Sequence, residues 1–178
     1  MIEEIAKCKK CNLYKNQLPL LDRQKETCDV MWVGLSAKQI KDPNYSFPLA
    51  PDTNSGKLVY EIEEMLPKVS FYKTNIVKCV PLNKSAKIRY PKREEIFVCI
   101  PNLIKEIEIM RPKVIFLLGG LVTKSFNSYV KNNKQYNYLL DDYNIVSIKH
   151  PSYIAIYKRK FKNVYKDEVC SLIKTNVA

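Results

Sequence analysis

Two side chains of different chemistry stand four residues apart in Thr74-Asn75-Ile76-Val77-Lys78-Cys79-Val80-Pro81. The Asn75 carboxamide offers one acceptor and two donors, the set that pairs with the edge of a flat heterocycle. The thiol of Cys79, once ionised, is a metal ligand. A second metal-binding signal is Cys8-Lys9-Lys10-Cys11, two cysteines able to grip one metal centre from a single tight turn. The one histidine, His150, sits in Lys149-His150-Pro151-Ser152-Tyr153, and the four glycines stand at 34, 56, 119 and 120.

Each of these groups adjoins an element that can hold it. Phe71 and Tyr72 begin a β-favouring run that Val80-Pro81 ends, because proline cannot donate to a sheet ladder. Asp29-Val30-Met31-Trp32-Val33-Gly34 and Val114-Ile115-Phe116-Leu117-Leu118-Gly119 are short apolar runs closed by glycine, the pattern of central parallel strands. Ile145-Val146-Ser147-Ile148 reads as a last strand leading to His150. Helical spacing joins Leu58, Ile62, Met65 and Leu66 before Pro67, and Ile96, Ile100, Leu103, Ile104 and Ile107 after Glu94-Glu95. Pro101 predicts a kink in the second helix, or two consecutive helices. Further helices are expected from Gly120 to about Val130 and from Phe161 to Ile173. Residues 35–55 read as an irregular loop, and 132–142 as a loop or edge hairpin.

Strands alternating with helices predict a three-layer α/β/α fold around a mainly parallel four-stranded sheet, one domain over residues 1–178. Ligands of such folds bind beyond the carboxyl ends of the strands. Four loaded segments meet there: after Gly34, at Asn75, after Gly119 and at His150.

Hydrophobic residues make up 46% and charged residues 27%, which excludes a disordered chain. No apolar run reaches the length of a membrane span, and the start, Met1-Ile2-Glu3-Glu4, lacks signal-peptide order. The expectation is a cytoplasmic monomer without membrane contact, whose cysteines bind metal before they form disulfides. A net charge of +12 points to a polyanion such as DNA. The abundance of Lys, Asn, Ile and Tyr, typical of A/T-rich coding sequence, explains part of that charge.

From Cys8 to about Lys160 the chain resembles the iron-sulfur branch of the uracil-DNA glycosylase superfamily, family 4 in particular. The resemblance rests on Cys8-x-x-Cys11, Val33-Gly34, the Thr74–Pro81 stretch, Glu94-Glu95-Ile96 before Cys99, Arg111-Pro112-Lys113-Val114, Leu118-Gly119 and His150-Pro151-Ser152-Tyr153. It implies an iron-sulfur lobe in which Cys8, Cys11, Cys79 and Cys99 hold a [4Fe-4S] cluster, with a four-cysteine zinc site as the alternative. It implies catalytic roles for Asn75, reading a flipped-out base, and for His150, donating to the pyrimidine O2. The base site would comprise Gly34, Leu35, Ser36, Phe47, Leu49, Asn75 and His150. Lys84, Lys87, Arg89, Ser152, Tyr153, Lys158 and Arg159 would contact single- or double-stranded DNA. Cys28 and Cys170 match no motif and read as small apolar packing residues.

One departure concerns the chemistry itself. Family 4 carries Gly-Glu-x-Pro-Gly where this chain has Gly34-Leu35-Ser36-Ala37-Lys38. Leu35 cannot orient water or accept a proton. The family's Pro-Phe-x-Gly is also absent; Pro48-Leu49, with Phe47 adjacent, stands nearest. Asp42 and Asp52 are the carboxylates that could substitute. Three readings stay open: a glycosylase for uracil or a modified base, a base-reading module without catalysis, and an iron-sulfur redox or sensing protein.

Overall fold

The computed structural model describes residues 2–23, 27–40 and 46–177. Four strands, β1 (Val30–Ser36), β2 (Phe71–Val77), β3 (Val114–Leu118) and β4 (Asn144–Ile148), form one sheet in the order β2-β1-β3-β4. Every pairing is parallel. The chain steps from β1 to one neighbour and then crosses to the other, so the carboxyl ends of β1 and β3 frame a topological switch point.

Side chains alternate across β1. Met31 and Val33 face one layer with Tyr72, Ile115 and Leu117; Val30 and Trp32 face the other with Val114 and Phe116. The first layer is covered by α3 (Arg93–Met110) and α4 (Gly120–Asn132), through Ile100, Leu103, Ile107 and Phe126. The second is covered by α2 (Asn54–Glu64) and α7 (Lys162–Val177), through Leu58, Ile62, Val169 and Ile173. Short helices α1 (Ile2–Ala6), α5 (Tyr138–Asp142) and α6 (Pro151–Tyr157) complete the chain. Among the described residues no helix is long and apolar enough to cross a membrane.

Two local expectations change. Helix α3 runs unbroken through Pro101 rather than dividing in two, because Ile100, Leu103, Ile104 and Ile107 bury one continuous face on both sides of the proline. Residues 132–142 form a 3-10 turn (Lys134–Tyr136) and α5 instead of a hairpin, anchored by the wholly buried Leu139. His150 caps α6, with Pro151 in the first helical turn, where its missing N–H costs nothing.

Candidate active site

Asn75 and His150 reach one cavity of about 240 Å³ at the carboxyl ends of the strands, walled also by Leu20, Gly34, Leu35 and Lys38. That volume lies below the roughly 300–1,000 Å³ of drug-sized sites and suits one small heterocycle. Two glycines make room for the two polar residues. Gly34 is register partner to Asn75, and a Cβ there would lie 2.3 Å from Asn75 Oδ1. At Gly119 the backbone has φ +95°, which favours glycine, and a Cβ would meet His150 Cβ at 3.1 Å.

The His150 ring is fixed by its own helix. Ser152 N–H donates to Nδ1 at 3.2 Å, and Ser152 Oγ lies 2.7 Å from the same nitrogen. A backbone N–H can only donate, so Nδ1 is an acceptor and the ring proton resides on Nε2. Burial pushes the His150 pKa below its ordinary 6.5, so the ring is neutral at physiological pH.

Asn75 is held from below. The Lys78 ammonium, fully buried, donates to Asn75 O at 2.6 Å and Thr74 Oγ1 at 2.6 Å, and pairs with the equally buried Glu106 carboxylate. Thr74 Oγ1 and Tyr72 OH each donate to Glu106 at 2.9 Å. A buried ion pair is tolerable when such bonds use its remaining valences.

The first strand end is built otherwise. Leu35 turns partly into the core that α3 and α4 cover. Three residues on, Lys38 lines the cavity and its Nζ rests on the Asp52 carboxylate. Of the remaining expected wall residues, Ser36 and Leu49 are present, while Phe47 is not: its ring lies 5.3 Å beneath Lys73 Nζ. Asp42 lies outside the described residues.

The expected cysteines gather past the carboxyl end of β2, beside α3. Cys79 and Cys99 are buried, and Cys8 and Cys11 half-buried. Burial first, then the neighbouring thiols of Cys99, Cys11 and Cys8, push the Cys79 thiol up. Asn102 Nδ2 approaches Cys8 Sγ at 3.5 Å and Cys99 Sγ at 4.0 Å, and Lys78 N–H donates to Cys99 Sγ at 3.4 Å. Four soft sulfurs with N–H donors aimed at them fit an iron-sulfur centre in donor chemistry. Among the described residues, however, no three metal-ligating groups stand at metal-holding distances. Cys28 and Cys170 are buried, as small apolar residues are.

Of the expected DNA contacts, Lys84 and Lys87 are exposed on a short excursion pinned by Asn83 Oδ1, which accepts from Ser85 N and Lys87 N. Tyr153, Lys158 and Arg159 are exposed along and after α6. Arg89 is turned inward onto Glu95 and the carbonyls of Leu82 and Tyr90, and Ser152 is engaged with His150. Sequence reasoning missed Leu20, Thr53 and Ser55 of the cavity wall and the Glu106 anchor. Glu106 had a signal, since it lies three residues from Leu103 and four from Met110, on the apolar stripe of α3.

A larger cavity of about 490 Å³ lies between β4 and α7, lined by residues such as Ile148, Ile154, Phe161 and Leu172. Neither Asn75 nor His150 reaches it.

A family model described as the Uracil DNA glycosylase superfamily matches residues 23–174. The type-4 uracil-DNA glycosylase of Sulfurisphaera tokodaii is 32% identical over 164 residues, which cover 89% of this chain and 67% of that protein. The type-4 enzyme of Archaeoglobus fulgidus is 30% identical over 127 residues, 67% of this chain and 58% of that protein. The chain thus spans about six tenths to two thirds of these relatives. Among solved structures, wild-type SMUG2 of Pedobacter heparinus shares the fold, with a TM-score of 0.59 at 18% identity over 84% of this chain and 76% of that one. The family model and the type-4 relatives agree: the chain belongs to the uracil DNA glycosylase superfamily, as a type-4-like member.

Proposed function

We propose that the protein is a DNA glycosylase that draws an extruded pyrimidine, uracil or a modified base, into the Asn75–His150 cavity and breaks its N-glycosidic bond. The observation that carries this reading is the pairing, in one heterocycle-sized cavity, of an amide whose backbone is braced by Lys78 and a neutral imidazole fixed by its own helix. The Asn75 amide accepts from N3–H and donates to O4 of a uracil-like edge. As C1′–N1 breaks, its electron pair goes to the base, and the charge that develops on O2 meets His150 Nε2–H. A preorganised donor of this kind is worth about 10²–10³-fold in rate.

Cys8, Cys11, Cys79 and Cys99 would hold the [4Fe-4S] cluster, with zinc as the alternative. Bound there, the cluster would supply a covalent tie between the N-terminal segment, the connection after β2 and helix α3. The exposed Lys84, Lys87, Tyr153, Lys158 and Arg159 supply phosphate contacts that position DNA without reading sequence.

Leu35 favours a second reading, a base-binding module that cuts nothing. A base-release panel separates the two. Single- and double-stranded oligonucleotides carrying uracil, hydroxymethyluracil or hypoxanthine are incubated with the protein, and abasic product is measured. Release of one of these bases, lost in His150→Ala, supports the enzyme; release of none, with binding still dependent on Asn75, makes the protein a reader.

A further inference from the structure

We propose that Lys38 attacks C1′ of the extruded nucleotide as an amine nucleophile, so that base loss proceeds through a covalent imine and ends in strand cleavage. The inference rests on the glycosylase reading above and supplies the attacking group that Leu35 cannot.

Lys38 shares its cavity with Asn75 and His150 and stands just past the end of β1, beyond Leu35. Its backbone is clamped. Ala37 N donates to Val77 O at 3.0 Å, and the buried Gln17 amide donates to Lys38 O and accepts from Ile40 N, both at 3.0 Å. The Asp52 carboxylate reaches the ammonium from the loop leading into α2. Its side chain is 70% exposed against 23% for Lys38, so it can take a proton from Nζ and pass it to solvent. The other amine near Asn75, on Lys78, is 1% exposed and occupied by Glu106, Thr74 and Asn75 O.

The chemistry balances without an oxidant. Nζ, having passed a proton to Asp52, forms a bond to C1′, and the C1′–N1 electron pair departs with the base, its O2 held by His150 Nε2–H. The nitrogen loses a second proton, and its lone pair then expels O4′. That oxygen takes up a proton, which leaves a protonated imine between Nζ and C1′. Removal of a C2′ proton expels the 3′-phosphate, and water then hydrolyses the imine and restores Lys38. C1′, bonded to both O4′ and N1, is already at the oxidation level of the aldehydes with which lysine amines form imines.

Borohydride trapping tests this. One oligonucleotide carries a single deoxyuridine, a second a preformed abasic aldehyde, and each is incubated with sodium borohydride. The proposal expects a stable adduct on both, mapped by peptide mass spectrometry to Lys38, and cleavage 3′ to the site without borohydride. Lys38→Ala and Lys38→Arg lose the adduct, and Lys38→Arg keeps DNA affinity because its charge is retained. Uracil release with no adduct and an intact abasic strand overturns the proposal while leaving the glycosylase reading in place. So does an adduct mapped to another amine, or full base release by Lys38→Arg. Adduct on the abasic strand without any base release overturns both base loss through Lys38 and the glycosylase reading, and leaves Lys38 acting only where the base is already lost. No adduct on either strand and no base release overturns both.

Discussion

β1 and β2 are neighbours in register, Gly34 beside Asn75, yet their carboxyl ends are built in opposite ways. The end of β2 is buried and cross-braced: Lys78, Glu106, Thr74 and Tyr72 fix the Asn75 backbone from beneath. The end of β1 is open, with an apolar Leu35 and a lysine–aspartate pair spanning two loops. Recognition needs an edge held in one orientation, which buried, fully bonded polar groups provide. Attack needs proton exchange with water, which an exposed pair permits. The two halves of one cavity therefore follow different rules of burial.

The largest effect should come from breaking the brace. Lys78→Met leaves Glu106 charged and unpaired in the core and should cost about 3–5 kcal/mol in denaturant unfolding. Lys78→Met with Glu106→Leu should recover most of that loss, yet leave Asn75 less well held. Its signature is stability restored without base discrimination. If discrimination returns with stability, the brace does not position Asn75.

Next in size is His150→Ala, which removes the O2 donor and should slow base release by about 10²–10³-fold with substrate affinity little changed. The wild-type pH profile sharpens the same point. Because burial lowers the His150 pKa, the neutral donor persists below pH 6.5, so release should stay level through that value and fall only at lower pH. Between 6.5 and the lowered folded value the unfolded chain binds a proton that the folded chain refuses, so stability declines as pH drops through that window. A fall in release centred at 6.5 would mean a ring in contact with water.

Gly34→Ala crosses from one strand end to the other. Its Cβ must displace the Asn75 amide, and a displaced hydrogen bond of this kind should cost about 1–3 kcal/mol of base-specific binding. Equal discrimination in the variant would separate Gly34 from Asn75. The smallest effect belongs to the surface. Lys84→Ala and Lys87→Ala should each weaken binding to all DNA alike and reduce the salt slope by about 1.

Much of this arrangement is legible in the sequence. Asn75 and His150 stand out because they interrupt or follow apolar runs, and parallel sheets put such positions at the ligand-binding edge. Gly34 and Gly119 close those runs, although only the structure gives each a neighbour to accommodate. Tertiary burial hides the rest. Only its place on the apolar stripe of α3 separates Glu106, which anchors a buried lysine, from Glu108 two residues on, which bonds Tyr138 at the surface. Pro101 is overridden by the long face that α3 buries. Lys38 and Asp52 meet only because two irregular loops fold against each other, and loop geometry leaves no period to read.

The central claim is that Asn75 selects the base, and a binding measurement reaches it without any dependence on the chemistry of β1. Oligonucleotides carry either a 2′-fluorinated deoxyuridine, whose glycosidic bond resists cleavage, or a 2′-fluorinated deoxycytidine at the same position. Affinities of wild type and Asn75→Asp are compared. The account predicts that wild type prefers the deoxyuridine analogue, and that Asn75→Asp loses this preference, because a carboxylate repels O4 of uracil and accepts from the N4 amino group of cytosine. Equal preference in both proteins would contradict it.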